Sequence, residues 1–505
     1  MRFNFFSKSA KTETNYEGAK AYRQTPEWEL YAAVVTASLS DQFYEKAIER
    51  LVRIRTLIGQ NKPEYVAKLA VYTRTSMHLR SIPLVLLVES ARQLSGDDVL
   101  KNAVNAVVQR ADEITELLAY YQMANKRKGI KKLNRLSKQL QKGLAMSFNK
   151  FDEYQFAKYD RATEIKLRDA LFLVHPKAKD ETQQALFDKI AAQTLETPYT
   201  WETELSALGQ QSFANENEKA VAFRQKWEEL IGSGKLGYMA LLRNLRNILE
   251  ANVSAEALEK VARQLSDEKA VMNSKQLPFR FLAAYRELKD LQYSGVARLV
   301  EALEKAVSYS ANNLRGFNSD ARVLIACDVS GSMQTPISQK SKIMHYDIGL
   351  MLGMLLQSRC KRVESGIFGD TWKIVSMPNK GILANVNAFY RREGEVGYST
   401  NGYLVVQDLV NRRVVVDKVM MFTDCQLWNS TTDNNYLTKA WDAYKQIAPN
   451  AKLYLFDLNG YGRMPISYLR DDVCMIAGWS DKVFEVLEAI ENGGDALSKI
   501  NEIKL

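Results

Sequence analysis

The 505 residues are 46% hydrophobic and 25% charged, which suits a soluble globular protein and excludes a disordered or fibrous chain. The length exceeds what one hydrophobic core fills, so about two or three domains are expected, and no uninterrupted apolar run of about 18 residues offers a membrane span. The net charge of +10 is unevenly placed: residues 320–505 carry 21 Lys and Arg against 21 Asp and Glu, leaving 48 against 38 before them. A basic N-terminal part beside a neutral C-terminal one points to a polyanion as the partner of the first. The cysteines, Cys327, Cys360, Cys425 and Cys474, lack CxxC spacing and so read as reduced thiols of a cytoplasmic protein rather than a zinc or disulfide framework. With only His78, His175 and His345 and no GxSxG, nucleophilic and zinc-hydrolase chemistry lack their parts, and no enzyme is expected.

In chain order, residues 1–25 are polar and aperiodic and are expected to form a loose arm. Thr25-Pro26 then opens a helix, Thr25 as its cap and Pro26 at its first position. From there to about residue 315 the sequence keeps a helical period, broken at Lys62-Pro63, Ile82-Pro83, Gly96-Asp97, Gly129, Pro176, Thr197-Pro198, Gly232–Gly234 and Leu277-Pro278. Stretches such as Glu64–Met77, Leu84–Leu94 and Tyr238–Leu249 have the length of single helices. Their spacing predicts stacked antiparallel helix pairs, an α-solenoid. Within it, no acidic residue occurs between Leu117 and Phe151, while Lys126, Arg127, Lys128, Lys131, Lys132, Arg135, Lys138, Lys142 and Lys150 are basic. At about 100° per residue, Lys128, Lys131, Arg135, Lys138 and Lys142 fall on one stripe of a helix and Leu133, Leu136, Leu140 and Leu144 nearly opposite. One face packs and the other offers cations to phosphates, the sequence-independent part of nucleic-acid binding. A solvated face is one alternative and a membrane-surface helix another, the latter disfavoured because the apolar side is only leucine, without interfacial Trp. His175, in FLVHP, reads as a helix-end histidine, and Arg243 and Arg246 in LLRNLRN either bind RNA or pair with carboxylates such as Glu250.

Near Arg315–Asn318 the pattern switches to alternating strands and helices, giving an arm (1–25), a helical module (26–318) and an α/β domain (319–505). Strands are expected over Arg322–Cys327, Val363–Phe368, Trp372–Ser376, Val414–Phe422 and Leu453–Phe456. Helices are expected over Lys342–Gln357, Gly402–Val410, Lys439–Ile447 and Asp481–Ile490, a mostly parallel sheet covered on both faces. Two buried-strand runs end in carboxylates: ARVLIACDVSGSM at Asp328, followed by Ser330 and Ser332, and VVVDKVMMFTD at Asp424. Between them lies Gly397-Tyr-Ser-Thr-Asn-Gly402 with Thr400. Hard divalent cations take oxygen ligands, and Mg²⁺ needs only one or two carboxylates with hydroxyls and waters. These three pieces converge at the carboxyl ends of strands, where open α/β sheets bind ligands.

Asp328, Ser330, Ser332, Thr400 and Asp424 resemble, in order and type, the metal-ion-dependent adhesion site of von Willebrand factor A domains. The runs Leu79–Glu89, Leu167–Pro176, Tyr238–Asn247 and Leu277–Phe281 resemble signatures of the TROVE module of Ro ribonucleoprotein autoantigens, here of bacterial or phage type. The resemblance implies an all-α HEAT-like helical-repeat ring (TROVE) followed by an α/β doubly wound, Rossmann-like von Willebrand A domain with one Mg²⁺. It also implies single-stranded ends of misfolded RNA in the ring and a structured Y-type RNA on its outer face, in RNA quality control or processing. A ribonuclease or other protein is the further expected partner, through the RNA or the von Willebrand A domain, and a membrane is not. RNA-contacting positions carried over are Lys158, Arg161 and His175, and the full expected set adds Lys128, Lys131, Lys132, Arg135, Lys138, Lys142, Arg243 and Arg246. The competing reading is a metal-dependent adaptor or adhesion protein whose helical repeats bind a protein partner.

Overall fold

The computed structural model describes residues 12–37, 45–94, 96, 98–125, 136–160, 163–312, 320–338, 341–428, 436–467, 470–479, 482–492 and 497–505. The chain divides into two compact units, one of Met1–Ile54, Leu241–Glu250 and Leu258–Ala496, the other of Arg55–Ala240, Ala251–Ala257 and Leu497–Leu505. The expected boundary at Arg315–Asn318 lies outside the described residues.

The second unit is helical throughout its described residues. Its first helices, Pro63–Thr75 and Ser81–Ser90, pack as a pair, and Pro63–Thr75 also meets Val99–Val107, which lies against Lys138–Phe148. The tight approach of that last pair depends on Gly143: a Cβ there would stand 2.6 Å from the Cβ of Val104. Helix Ser81–Ser90 is apolar around nearly its whole circumference and is buried from Ile82 to Ser90, as expected of a helix inside a stack. Two of the breaks read from the sequence fall where helices start: Pro63 and Pro278 take first-turn positions, where proline's missing N–H costs nothing.

The first unit contains a six-stranded sheet of β3 (Arg322–Asp328), β4 (Arg362–Phe368), β5 (Trp372–Ile374), β6 (Lys418–Thr423), β7 (Lys452–Asp457) and β9 (Val473–Ala477). Its spatial order is β5-β4-β3-β6-β7-β9, parallel except for β5, which pairs antiparallel with β4. The chain runs outward from β3 to β5 on one side and from β6 to β9 on the other, so the strand order reverses between β3 and β6. Every residue of β6 is buried, as are the last six of β3, which explains why both read as continuous apolar runs rather than as alternation. Helix His345–Gln357 is wholly buried and presses on this centre: a Cβ on Gly353 would stand 3.1 Å from Cys327 Sγ and 3.2 Å from Ile325. Phe422 and Phe456 stack across β6 and β7 with centroids 4.3 Å apart.

The expected loose arm is corrected over its described part. β1 (Thr12–Thr14) and β2 (Lys20–Arg23) form a hairpin, and β2 pairs with β8 (Arg463–Met464) in a separate three-stranded sheet. Thr25 caps the following helix, Pro26–Val35, its Oγ1 accepting from Trp28 N at 3.3 Å. The helical end of this unit is riveted to the α/β part by Arg286, on helix Pro278–Leu288. Its guanidinium donates to both oxygens of buried Asp347 at 2.7 and 2.6 Å.

Candidate metal centre and basic surface

Asp328 closes β3 and Asp424 directly follows β6, so the two carboxylates stand side by side at the point where the strand order reverses. Asp328 is held by its own loop and by its neighbour: Oδ1 accepts from Ser330 N at 2.9 Å and Oδ2 from Thr423 Oγ1 at 2.6 Å. Ser330 and Ser332 bring their hydroxyl oxygens within 3.3 Å of each other, and the Ser332 hydroxyl also reaches the Asp424 carboxylate. Gly331 N donates to Tyr398 O at 2.9 Å, tying this loop to the turn that carries Thr400. Thr400 Oγ1 in turn accepts from Trp428 N at 2.7 Å, so the loop after β6 holds it. All five expected metal-site side chains are thus buried and converge from three elements.

Burial pushes the Asp328 and Asp424 carboxyls well above the usual carboxylate range, and Asp328 raises Asp424 further. Asp424 Oδ1 accepts from Gln426 N at 2.9 Å, but Oδ2 is buried with no hydrogen-bond partner. A buried carboxylate oxygen left unpaired is costly, and a cation is one thing that relieves the cost. Among the described residues no three His, Cys, Asp or Glu side chains group as a metal site. The donor set here is instead two carboxylates and three hydroxyls, an all-oxygen set that fits a hard cation of the Mg²⁺ kind.

A third carboxylate lies beyond the set expected from the sequence. Asp457 ends β7, opposite Thr423, and burial raises its carboxyl to about 6. Its Oδ1 accepts from Asn459 N at 3.0 Å and Gly460 N at 2.7 Å, while Oδ2 is buried and unpartnered. Behind this loop, buried Arg50 donates to Asn459 O and pairs with Glu45 at 2.7 Å. The sequence does carry a signal for it: KLYLFD is an apolar strand run ending in Asp, like the runs that end at Asp328 and Asp424.

The expected RNA-binding residues fall in both units. Lys128, Lys131, Lys132, Arg135 and Arg161 lie outside the described residues. Lys138 and Lys142 are exposed on helix Lys138–Phe148, whose Leu140 and Leu144 are buried, so this part of the stripe has the expected faces. The single helix expected from Lys128 to Lys142 is corrected: Ser137 has extended backbone, φ −51° and ψ 130°, and the helix starts after it. Serine favours this cap position because its side chain competes for backbone groups inside a helix. Lys158 is exposed on helix Glu153–Tyr159 with its ammonium 5.6 Å from the ring centroid of Tyr154 and 5.8 Å from that of Tyr159. His175 ends helix Leu167–Val174 in the left-handed region, φ 49°, its N–H donating to Leu171 O. Arg243 is exposed, and Arg246, also exposed, pairs with Glu250 at 2.7 Å and approaches Glu287 at 3.6 Å.

A family model described as the TROVE domain matches residues 36–200 and 191–315. Telomerase protein component 1 of Mus musculus is 25% identical over 320 residues, 48% of this chain and 12% of that protein. Its Rattus norvegicus counterpart is 26% identical over 309 residues, 46% of this chain and 11% of that protein. The chain therefore spans a small fraction of these relatives' length. The crystal structure of Deinococcus radiodurans RO (RSR) protein covers 93% of this chain, and all of that chain, with a TM-score of 0.58 at 18% identity, a likeness of fold. Since the model matches more than half of its length, the chain belongs to the TROVE-domain family.

Proposed function

We propose that this is an RNA-binding ribonucleoprotein component whose helical module holds small noncoding RNA, a structured Y-type RNA and single-stranded RNA ends, and that it acts as a scaffold in RNA quality control or processing. Family membership supports the RNA-binding part, and the observation that carries it is the acid-free segment Leu117–Phe151. There the whole charge is positive, and of its described lysines Lys138 and Lys142 are exposed on a helix whose leucines are buried, while Lys150 donates to the carbonyls of Asn105 and Val108. Cations set against phosphates in this way give an affinity that falls with salt.

Replacing Lys131, Arg135 and Lys138 together by Gln tests it. Each cation withdrawn from a phosphate lowers the salt slope by about 0.7 to 0.9, so the triple variant flattens it by roughly two units. Glutamine removes the charge and, at Lys138, keeps helix propensity. A stripe that serves structured RNA weakens a hairpin ligand more than a short single strand. Wild-type affinity and slope for every RNA in the triple variant, with Lys260→Gln as control, would return these cations to a solvated surface.

For the α/β part we propose a von Willebrand A domain with a metal-ion-dependent adhesion site. Asp328, Ser330, Ser332, Thr400 and Asp424 would hold one divalent cation, Mg²⁺ by donor chemistry, and a ribonuclease or other protein would engage this domain or the RNA. When bound, the cation supplies a Lewis-acidic position able to take a carboxylate oxygen. The chain's own residues fix the donors, exclude solvent from the two carboxylates and tie the Thr400 turn to both loops. The scaffold reading is preferred to that of an Mg²⁺-dependent nuclease and is tested directly. With Mg²⁺ present, purified protein should leave single-stranded and hairpin RNA intact over hours on a denaturing gel. Cleavage that disappears in Asp328→Ala would overturn the scaffold reading. The described residues include no helix long and apolar enough to cross a membrane. A cytoplasmic location is part of the proposal and rests on the four cysteines standing as free thiols.

A further inference from the structure

Helix Leu167–Val174 has two faces of opposite character. Leu167, Ala170, Leu171 and Val174 recur at the i, i+3, i+4, i+7 spacing and are buried, so they complete the stripe that packs. Arg168 and Phe172, one turn apart and off that stripe, are left in water, Phe172 with 51% of its surface exposed. A ring that stays half in solvent contributes little to folding.

What surrounds it is cationic. The exposed Arg168 guanidinium stands 5.6 Å from the Phe172 ring centroid, donates to Gln193 Oε1 at 3.1 Å, and pairs with no carboxylate among the described residues. The neighbouring helix Lys138–Phe148 reaches the same place: Gln141 Nε2 donates to Leu173 O at 3.0 Å, and Gln141 Oε1 accepts from the Lys138 ammonium at 3.3 Å. These bonds seat the lysine-bearing helix against the residue next to Phe172. Lys138, Lys142 and Met146 recur every four residues along it, all exposed.

A nucleobase is the ligand whose chemistry matches an exposed ring set among cations. It lays a flat π-face on the ring, and the phosphates flanking it meet the guanidinium and ammonium groups. A protein partner would also cover a phenylalanine, but an arginine without a carboxylate and two exposed lysines favour a polyanion. Base pairing decides which polyanion. Inside a duplex each base is already stacked between its neighbours, so only an unpaired base reaches the ring.

We propose that Phe172 is a stacking platform for one unpaired base of the bound RNA, with Arg168 holding an adjacent phosphate. The inference rests on the RNA-binding reading and deepens it: the cations of the helical module attract any phosphate chain, and Phe172 makes the module prefer unpaired stretches.

Fluorescence anisotropy of the full-length protein with two labelled ligands, an oligoadenylate of about eight nucleotides and a blunt RNA duplex, tests it. Phe172→Leu keeps an apolar side chain and removes the ring. Oligoadenylate affinity should fall about tenfold, the scale of one base–aromatic stack, while the salt slope stays native because no cation is withdrawn. The duplex should bind as before. Arg168→Gln should instead lower the oligoadenylate salt slope by about 0.7. Phe172→Trp should keep its affinity, and the added indole emission should be quenched as oligoadenylate saturates the protein. Native oligoadenylate affinity in Phe172→Leu overturns the platform and leaves the ring to a protein partner or to solvent. Equal losses for oligoadenylate and duplex overturn it too, since a paired base does not stack on the ring. A native protein that binds neither ligand brings down the RNA-binding reading itself and the platform with it, a result distinct from the other two.

Discussion

Asp328→Ala abolishes divalent-ion binding: where calorimetric titration of the native protein with Mg²⁺ gives a single saturable site, the variant gives none, and Asp433→Ala, a carboxylate outside the five, binds as native. The expected loss is at least about 100-fold, because changes outside the ligand shell alone cost up to that much. The reason is geometric. Asp328 is the only expected donor whose two oxygens are both fixed by neighbours, Ser330 N and Thr423 Oγ1, and it anchors the loop bearing both serines. Thr400→Ala, which removes one neutral donor, should weaken binding without ending it. Because the Asp328 and Asp424 carboxyls are raised by burial, and that of Asp424 further by Asp328, the ion must displace protons, and affinity falls as the pH is lowered through the raised range. At 100 times its dissociation constant the ion adds about 2.7 kcal/mol to native stability and nothing to the variant. RNA affinity should not move in Asp328→Ala, since the basic charge lies elsewhere in the sequence. Loss of RNA binding by a variant that keeps its circular dichroism would refute that division.

What the sequence makes legible follows from how each signal is encoded. β3 and β6 are buried on both faces, so their apolar runs mark them, and an Asp at the end of such a run is conspicuous. The proposed metal donors are readable for a related reason, because a hard cation restricts them to oxygen-bearing side chains, and those cluster where the two strands end. The hairpin leaves no such mark, because Thr12–Thr14 and Lys20–Arg23 are short, largely polar strands. Their order comes from β8, more than 400 residues away in the chain, and from side-chain bonds such as Asn15 to Leu427, neither of which leaves a local periodicity. Arg246 shows the same limit for charge: Glu250 one turn on is readable, but Glu287 on another helix is not. For helix His345–Gln357 the hydrophobic pattern alone sets the start at Lys342. The helix begins later because Asp347 accepts from Met344 N and makes Met344 the cap.

That same Asp347 carries a large expected stability effect. Its carboxylate is fully buried at the first turn of a helix that lies against β3 and β6, and it is satisfied by Arg286 through two short charge-assisted bonds and by Met344 N at 2.9 Å. The Arg286 side chain is 14% exposed, and its guanidinium stacks 4.7 Å from the ring centroid of Tyr390, so water cannot readily take its place. Arg286→Met leaves a buried carboxylate with one backbone donor, and removing one partner of such a pair costs about 3 to 5 kcal/mol. Urea unfolding followed by tryptophan fluorescence should shift accordingly, with the helix dipole at the N-terminus offsetting only a fraction of the loss. Arg286→Met combined with Asp347→Leu should recover most of it, since both charges are then gone and apolar volume replaces them. A single variant within about 1 kcal/mol of native would place this pair with the surface ion pairs, which are worth no more than that.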